Sequence, residues 1–73
     1  MFRVLQYLQS QGYFARITDG LLLVTRASIC GIHSDIDPNE VFDYFELVLQ
    51  DEFPKNKVSV TPKDDSWICV KVG

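Results

Sequence analysis

The sequence predicts an α+β domain: an antiparallel sheet of four to five strands with two helices on one face, in the order α-β-β-(β)-α-β-β. Three observations lead to this prediction. An Asp-Gly pair stands between two apolar runs, which is a strong short-range signal of a β-hairpin. A later segment carries a helix start signal followed by apolar residues at helical spacing. The last residues form two β-type runs around a turn-forming stretch.

Length and composition favour a single small domain. The chain has 73 residues, of which 47% are hydrophobic and 23% charged, and no apolar run is long enough to cross a bilayer. A domain of this size buries a marginal core, so self-association is a common source of extra stability. The N-terminus lacks the pattern of a signal peptide, and we therefore expect residues 1–73 to form one cytoplasmic domain.

Residues 1–11 are predicted to form a short amphipathic helix. Gly12 is expected to end it in the left-handed conformation, with Tyr13 packing back on Leu8 as in a Schellman motif. The apolar side chains at helical spacing are Met1, Val4, Leu5 and Leu8.

A first hairpin is predicted over residues 13–26, with Asp19 and Gly20 as a two-residue turn. The expected pairs are Thr18 with Leu21, Ile17 with Leu22, Arg16 with Leu23, and Ala15 with Val24. One face then carries Ala15, Ile17, Leu22 and Val24. The opposite face carries Phe14, Arg16, Thr18, Leu21 and Leu23.

Residues 27–33 have two interpretations. Ile29 and Ile32 do not alternate as strand residues do, and Gly31 weakens a strand. We interpret the segment either as a third strand with a bulge or as a crossing segment.

The second predicted helix has a clear start signal. Asp37 is expected to be the N-cap, Pro38 the first helical residue and Glu40 the partner in a capping box, while Ile36 and Val41 form a hydrophobic staple. The apolar face contains Val41, Phe42, Phe45, Val48 and Leu49. The helix is expected to end at or just before Phe53, because a proline follows.

A second hairpin is predicted from Lys57–Thr61 and Trp67–Val72, with Pro62–Ser66 as the loop. The expected register pairs Thr61 with Trp67, Val60 with Ile68 and Val58 with Val70. It collects Val58, Val60, Ile68, Val70 and Val72 on one face. A slip of one residue would place Trp67 and Cys69 on that face instead.

Residues that carry chemistry are sparse. His33 is the only histidine, and it has no nucleophile at motif spacing. Cys30 and His33 have a Cys-x-x-His spacing, but a structural zinc site needs four ligands, and only Cys69 and acidic residues remain. The four glycines are scattered, so no phosphate-binding loop is present. We expect no catalytic, cofactor-binding or metal-binding residues, and two free thiols.

The charges are unevenly distributed. Seven acidic residues and no basic residue lie between Asp35 and Glu52, within a net charge of −3. This acidity disfavours direct binding to nucleic acid. The acidic helix is either an ordinary solvated face or a docking surface for a basic partner. The candidate acidic partner surface is Glu40, Asp43, Tyr44, Glu46, Leu47 and Asp51.

A second candidate surface lies on the sheet. Because two helices cover one face, the other is expected to leave an apolar cluster for self-pairing or a partner protein, unless the register is slipped and Trp67 is core. The candidate sheet-face interface is Phe14, Leu21, Leu23, Trp67 and Cys69.

These features predict a small non-catalytic protein–protein interaction or regulatory protein, acting as a homodimer or bound to a partner protein. An accessory protein of a phage or mobile element would have this size. The alternative is an acidic inhibitor or nucleic-acid mimic that occupies the nucleic-acid-binding site of a target protein. No cofactor, membrane, small-molecule substrate or direct nucleic-acid partner is expected.

Overall fold

A computed structural model describes residues 2–73, which contain three helices and a four-stranded antiparallel sheet. The helices are α1 (Phe2–Ser10), α2 (Arg26–Ile32) and α3 (Val41–Glu52). The strands are β1 (Ala15–Thr18), β2 (Leu21–Thr25), β3 (Val58–Pro62) and β4 (Trp67–Val72), in the spatial order β1-β2-β4-β3. The predicted α+β class is confirmed, with three helices in place of the predicted two.

Helix α1 ends as predicted, while Met1 of its predicted apolar face lies outside the described residues. The Tyr13 N–H donates to the Leu8 carbonyl at 3.0 Å, and the Gly12 N–H donates to the Gln9 carbonyl at 3.1 Å. These two bonds define a Schellman motif. Gly12 has a φ of 95°, which glycine adopts without a Cβ clash.

The first hairpin has the predicted register in all four pairs of β1 with β2. Asp19 and Gly20 have φ values of 52° and 76°. A turn with positive φ at both central residues matches the right-handed twist of the strands. Such a two-residue turn determines the register of the strands on either side of it.

Residues 27–33 do not form a strand, so the interpretation as a third strand with a bulge is wrong: Arg26–Ile32 is helix α2, which connects β2 to the segment before α3. Thr25 ends β2 and is also the N-cap of α2, since its Oγ1 accepts a hydrogen bond from the Ser28 N–H at 3.2 Å. Ile29 is fully buried in the core. The spacing of Ile29 and Ile32 that does not suit a strand therefore suits a helix.

Helix α3 begins later than predicted. Asp37 is not its N-cap: the Asp37 Oδ1 accepts from the Asn39 N–H at 2.9 Å, and the Asp37 carbonyl accepts from the Glu40 N–H at 2.8 Å. This side-chain turn competes with the helix, so α3 starts only after Glu40, which makes no side-chain cap. The predicted end is confirmed, because Phe53 is the C-cap and its N–H donates to the Leu49 carbonyl.

The second hairpin differs from the predicted register by two residues. Val60 pairs with Val70, and Pro62 pairs with Ile68. The residues between the two strands are therefore 63–66, and the Asp64 carboxylate closes this loop by accepting from the N–H groups of Ser66 and Trp67 at 2.8 and 2.9 Å. A slip of two residues keeps every side chain on its face, so the predicted apolar face persists.

A single cluster of buried side chains joins the three helices to one face of the sheet. We call this the inner face and the opposite one the outer face. The buried members are Val4, Leu8, Tyr13, Leu22, Val24, Ile29, Val41, Phe45, Leu49, Val58, Ile68 and Val70.

Candidate functional site

The polar surface of α3 divides into two stripes with different surroundings. Glu46 and Gln50 lie one turn apart and face strand β3. The Glu46 Oε1 accepts from the Val60 N–H at 2.7 Å, and the Gln50 Oε1 accepts from the Val58 N–H at 3.0 Å. Glu46, which the sequence placed on the acidic partner surface, therefore binds the edge of the sheet through one carboxylate oxygen.

The second stripe lines a groove at the surface. Glu40, Asp43, Tyr44 and Leu47 recur at spacings of three and four residues, so they share one side of α3. Together with Ile36 they line a concave volume of about 300 Å³, which we call the acidic groove. Leu47 is 62% exposed and Tyr44 41% exposed, so the apolar part is open to solvent.

The acidic groove contains no internal counter-charge. Within residues 2–73, the one ion pair joins Lys63 and Asp64 at 3.8 Å, in the loop between β3 and β4. Glu40 and Asp43 are exposed carboxylates at the rim, and Asp51 is exposed one turn beyond Leu47. Like charges around a concave apolar surface produce a negative potential that attracts a cationic group.

Ile36 was not predicted as a site residue. It precedes α3, so no helical periodicity connects it to the stripe. The turn at Asp37 brings it beside Tyr44 at the groove. Only the observed turn geometry identifies it.

A smaller cavity of about 150 Å³ adjoins the groove and shares Ile36 with it. It is also lined by His33 and the exposed Cys30. The His33 Nε2 lies 2.5 Å from the Tyr13 hydroxyl, and the His33 ring packs edge-on against Tyr44 at 5.2 Å between centroids. His33 thus connects the wall of the groove to the hydrophobic core.

The cysteines and acidic residues do not assemble a metal site in the part of the chain that the structure describes. Cys30 and Cys69 are both free thiols, the first exposed and the second buried. Among residues 2–73, no three His, Cys, Asp or Glu side chains converge to hold a metal ion.

Burial raises the pKa of Tyr13 to about 12, with smaller effects from Tyr7 and Tyr44. A raised folded-state pKa gives stability that is complete below the unfolded value of about 10 and is lost as the pH rises towards 12. We expect the free energy of unfolding to fall by about 2 kcal/mol more in the native protein than in Tyr13→Phe over this range. Urea unfolding at a series of alkaline pH values measures the difference. Parallel pH profiles for the two proteins would contradict the assignment.

The outer face of the sheet is partly covered by its own side chains. Leu23 is 3% exposed and Cys69 is 7% exposed, although both lie on the outer face. The Arg16 guanidinium lies 4.9 Å from the centroid of the Trp67 ring and reaches across β2 over Leu23. Of the five predicted interface residues, only Phe14 and Leu21 are exposed, and both lie towards β1.

Comparison with known proteins gives no match to this chain among family profiles, curated proteins or solved structures. No helix within residues 2–73 has the length and apolar character needed to span a membrane. The site is therefore interpreted from its own geometry.

Proposed function

We propose that this chain is a small non-catalytic protein–protein interaction module, an accessory or regulatory protein that binds a basic amphipathic segment of another protein. The observation that supports the proposal is the acidic groove, where Tyr44 and Leu47 are exposed beside two carboxylates, Glu40 and Asp43, that form no ion pair with any described residue. Tyrosine is enriched among the residues that carry binding energy at protein interfaces, and a polar rim around an apolar centre is typical of such surfaces.

The shape and charge of the groove specify the chemistry of its partner. A volume of about 300 Å³ that is open to solvent accommodates one or two apolar side chains of a partner. Glu40, Asp43 and Asp51 follow the helix for about three turns, so lysine or arginine residues on a partner helix lie opposite them. An amphipathic helix with one apolar and one basic face satisfies both requirements.

The rival function is an acidic inhibitor that occupies the nucleic-acid-binding site of its target. That function requires carboxylates to carry the binding. Tyr44 and Leu47 interrupt the carboxylates in the groove, and Glu46 is engaged with β3. These three positions favour docking of a protein segment over phosphate mimicry.

The test uses a fluorescent helical peptide of leucine and lysine as the probe and a leucine–glutamate peptide as its counterpart. We expect the basic peptide to bind and Asp43→Lys to weaken binding about tenfold or more, because it reverses a rim charge. Leu47→Ser is expected to weaken binding similarly by removing the apolar anchor. Fluorescence anisotropy measures the affinities, and backbone amide shifts locate the peptide on α3.

Asp65→Lys is the matched control, since Asp65 is an exposed carboxylate in the loop far along the chain from α3. If Asp43→Lys and Asp65→Lys weakened binding of the basic peptide equally, the effect would come from the net charge of the protein. That result would contradict binding in the acidic groove. Binding that resists Leu47→Ser but is lost in Asp43→Lys and at high salt would favour the inhibitor.

A further inference from the structure

The two edges of the sheet are protected differently. At the β3 edge, the Val58 and Val60 N–H groups donate to the side chains of Gln50 and Glu46. Pro62, at the end of β3, has no N–H group to offer. These features close the β3 edge to another strand, as natural sheets commonly require.

The β1 edge lacks comparable protection. The Thr25 N–H donates to the Phe14 carbonyl, and hydrogen-bonded pairs alternate along an antiparallel ladder. Ala15 and Ile17 therefore direct their backbone groups away from β2. The Gln9 side-chain amide donates to the Ala15 carbonyl at 3.2 Å. Within residues 2–73, no group bonds to the N–H or carbonyl of Ile17 outside the ladder.

Exposed apolar side chains surround this open backbone. Phe14 is 74% exposed, and Ile17 and Leu21 are each 37% exposed. By strand alternation, Phe14 and Leu21 belong to the outer face and Ile17 to the inner face. The open edge thus has apolar side chains on both faces of the sheet.

We propose that β1 pairs antiparallel with β1 of a second copy, with Ile17 opposite Ile17 of the second copy, to form a continuous eight-stranded sheet. The open backbone groups of Ile17 then bond to each other across the two-fold axis. In this register, Arg16 lies opposite Thr18 of the second copy, and Phe14 lies opposite Gly20 of the second copy. The pairing centred on Arg16 is disfavoured because it places two like charges opposite each other.

We assign this edge to a second copy of the chain because pairing of the two open edges gives a closed dimer with no open edge left. Each chain has one open edge and one edge sealed by Glu46 and Gln50, so pairing stops at two copies rather than continuing into a fibre. A two-fold axis also makes the antiparallel pairing self-complementary. The proposal rests on the backbone and side chains of the β1 edge alone, so it does not depend on the acidic groove.

Light scattering behind a sizing column, over a wide concentration range, tests the proposal. The expected result is a mass that rises to twice that of the chain. Ile17→Lys places two ammonium groups opposite each other and is expected to raise the dimer dissociation constant about tenfold or more. Ile32→Lys is the matched control, because Ile32 is similarly exposed, at 41%, but lies on α2. Circular dichroism verifies that both variants fold.

Cross-linking tests the register. In a Cys30→Ser background, Ile17→Cys is expected to form a covalent dimer, because the Cα atoms of a hydrogen-bonded antiparallel pair are about 5.5 Å apart. Arg16→Cys is expected to remain uncross-linked. A native protein that stays monomeric at all concentrations overturns the proposal, as does a dimer unaffected by Ile17→Lys. Cross-linking through Arg16→Cys alone overturns the register.

Discussion

Replacement of Phe45 with alanine is expected to lower the free energy of unfolding by about 3–5 kcal/mol. Phe45 has no exposed surface, and its ring centroid lies 5.1 Å from that of Tyr13 and 6.5 Å from that of His33. Its removal opens a cavity between α3 and the segments that carry these two rings. A chain of this length has a total stability of about 4–11 kcal/mol, so the variant retains little of it.

Urea unfolding followed by circular dichroism measures this loss. Phe2→Ala is the matched control, because the same side chain is 69% exposed on α1, and its loss is expected to change stability by about 0.5 kcal/mol or less. A similar small effect for Phe45→Ala would mean that the core does not depend on this ring. Binding of the basic peptide to a destabilised variant must be measured under conditions in which that variant remains folded.

The elements predicted correctly from the sequence are those fixed by local chemistry. Gly12 and the Asp19–Gly20 turn require positive φ values, and each determines its surroundings through bonds within a few residues. The face assignment of the second hairpin was also correct, because it depends on the two-residue alternation of the strand. Its register was not, because the carboxylate of Asp64 selects the loop residues.

The errors have a common physical origin in competition between short-range signals. Thr25 is a good strand residue and a good N-cap, and it serves as both, since it ends β2 and caps α2. Asp37 is a good helix cap and a good turn former, and the turn prevails. A strand thus ends where a helix starts at Thr25, and a local side-chain turn replaces the expected helix cap at Asp37.

The candidate site was predictable in part for a related reason. Helical spacing places Glu40, Asp43, Tyr44 and Leu47 on one stripe without knowledge of the fold. Spacing does not reveal that Glu46, one residue before Leu47, lies against a strand, since that contact joins segments 14 residues apart. The acidic residues of α3 therefore have two roles. Glu40 and Asp43 lie on a surface open to partners, whereas Glu46 seals the edge of the sheet.

Gln50 illustrates this sealing function, and Gln50→Glu is expected to lower the free energy of unfolding by about 2–3 kcal/mol at neutral pH. The Gln50 amide nitrogen donates to the carbonyls of Phe53 and Asn56 at 3.1 and 2.7 Å, while its oxygen accepts from the Val58 N–H. A carboxylate has almost the same shape but cannot donate, so two hydrogen bonds become contacts between oxygen atoms.

The pH dependence of Gln50→Glu separates this cause from a general loss of packing. At low pH the introduced carboxyl group is protonated and can donate one hydrogen bond again, so the gap in stability between variant and native protein should narrow. Gln6→Glu makes the same change at an exposed position on α1 and is expected to have little effect at either pH. If the difference in the free energy of unfolding between Gln50→Glu and the native protein stayed constant across pH, the loss of stability would have a steric cause. Because the same side chain holds both the turn after α3 and the edge of β3, a narrowing gap would show that one amide couples the end of the helix to the closed edge of the sheet.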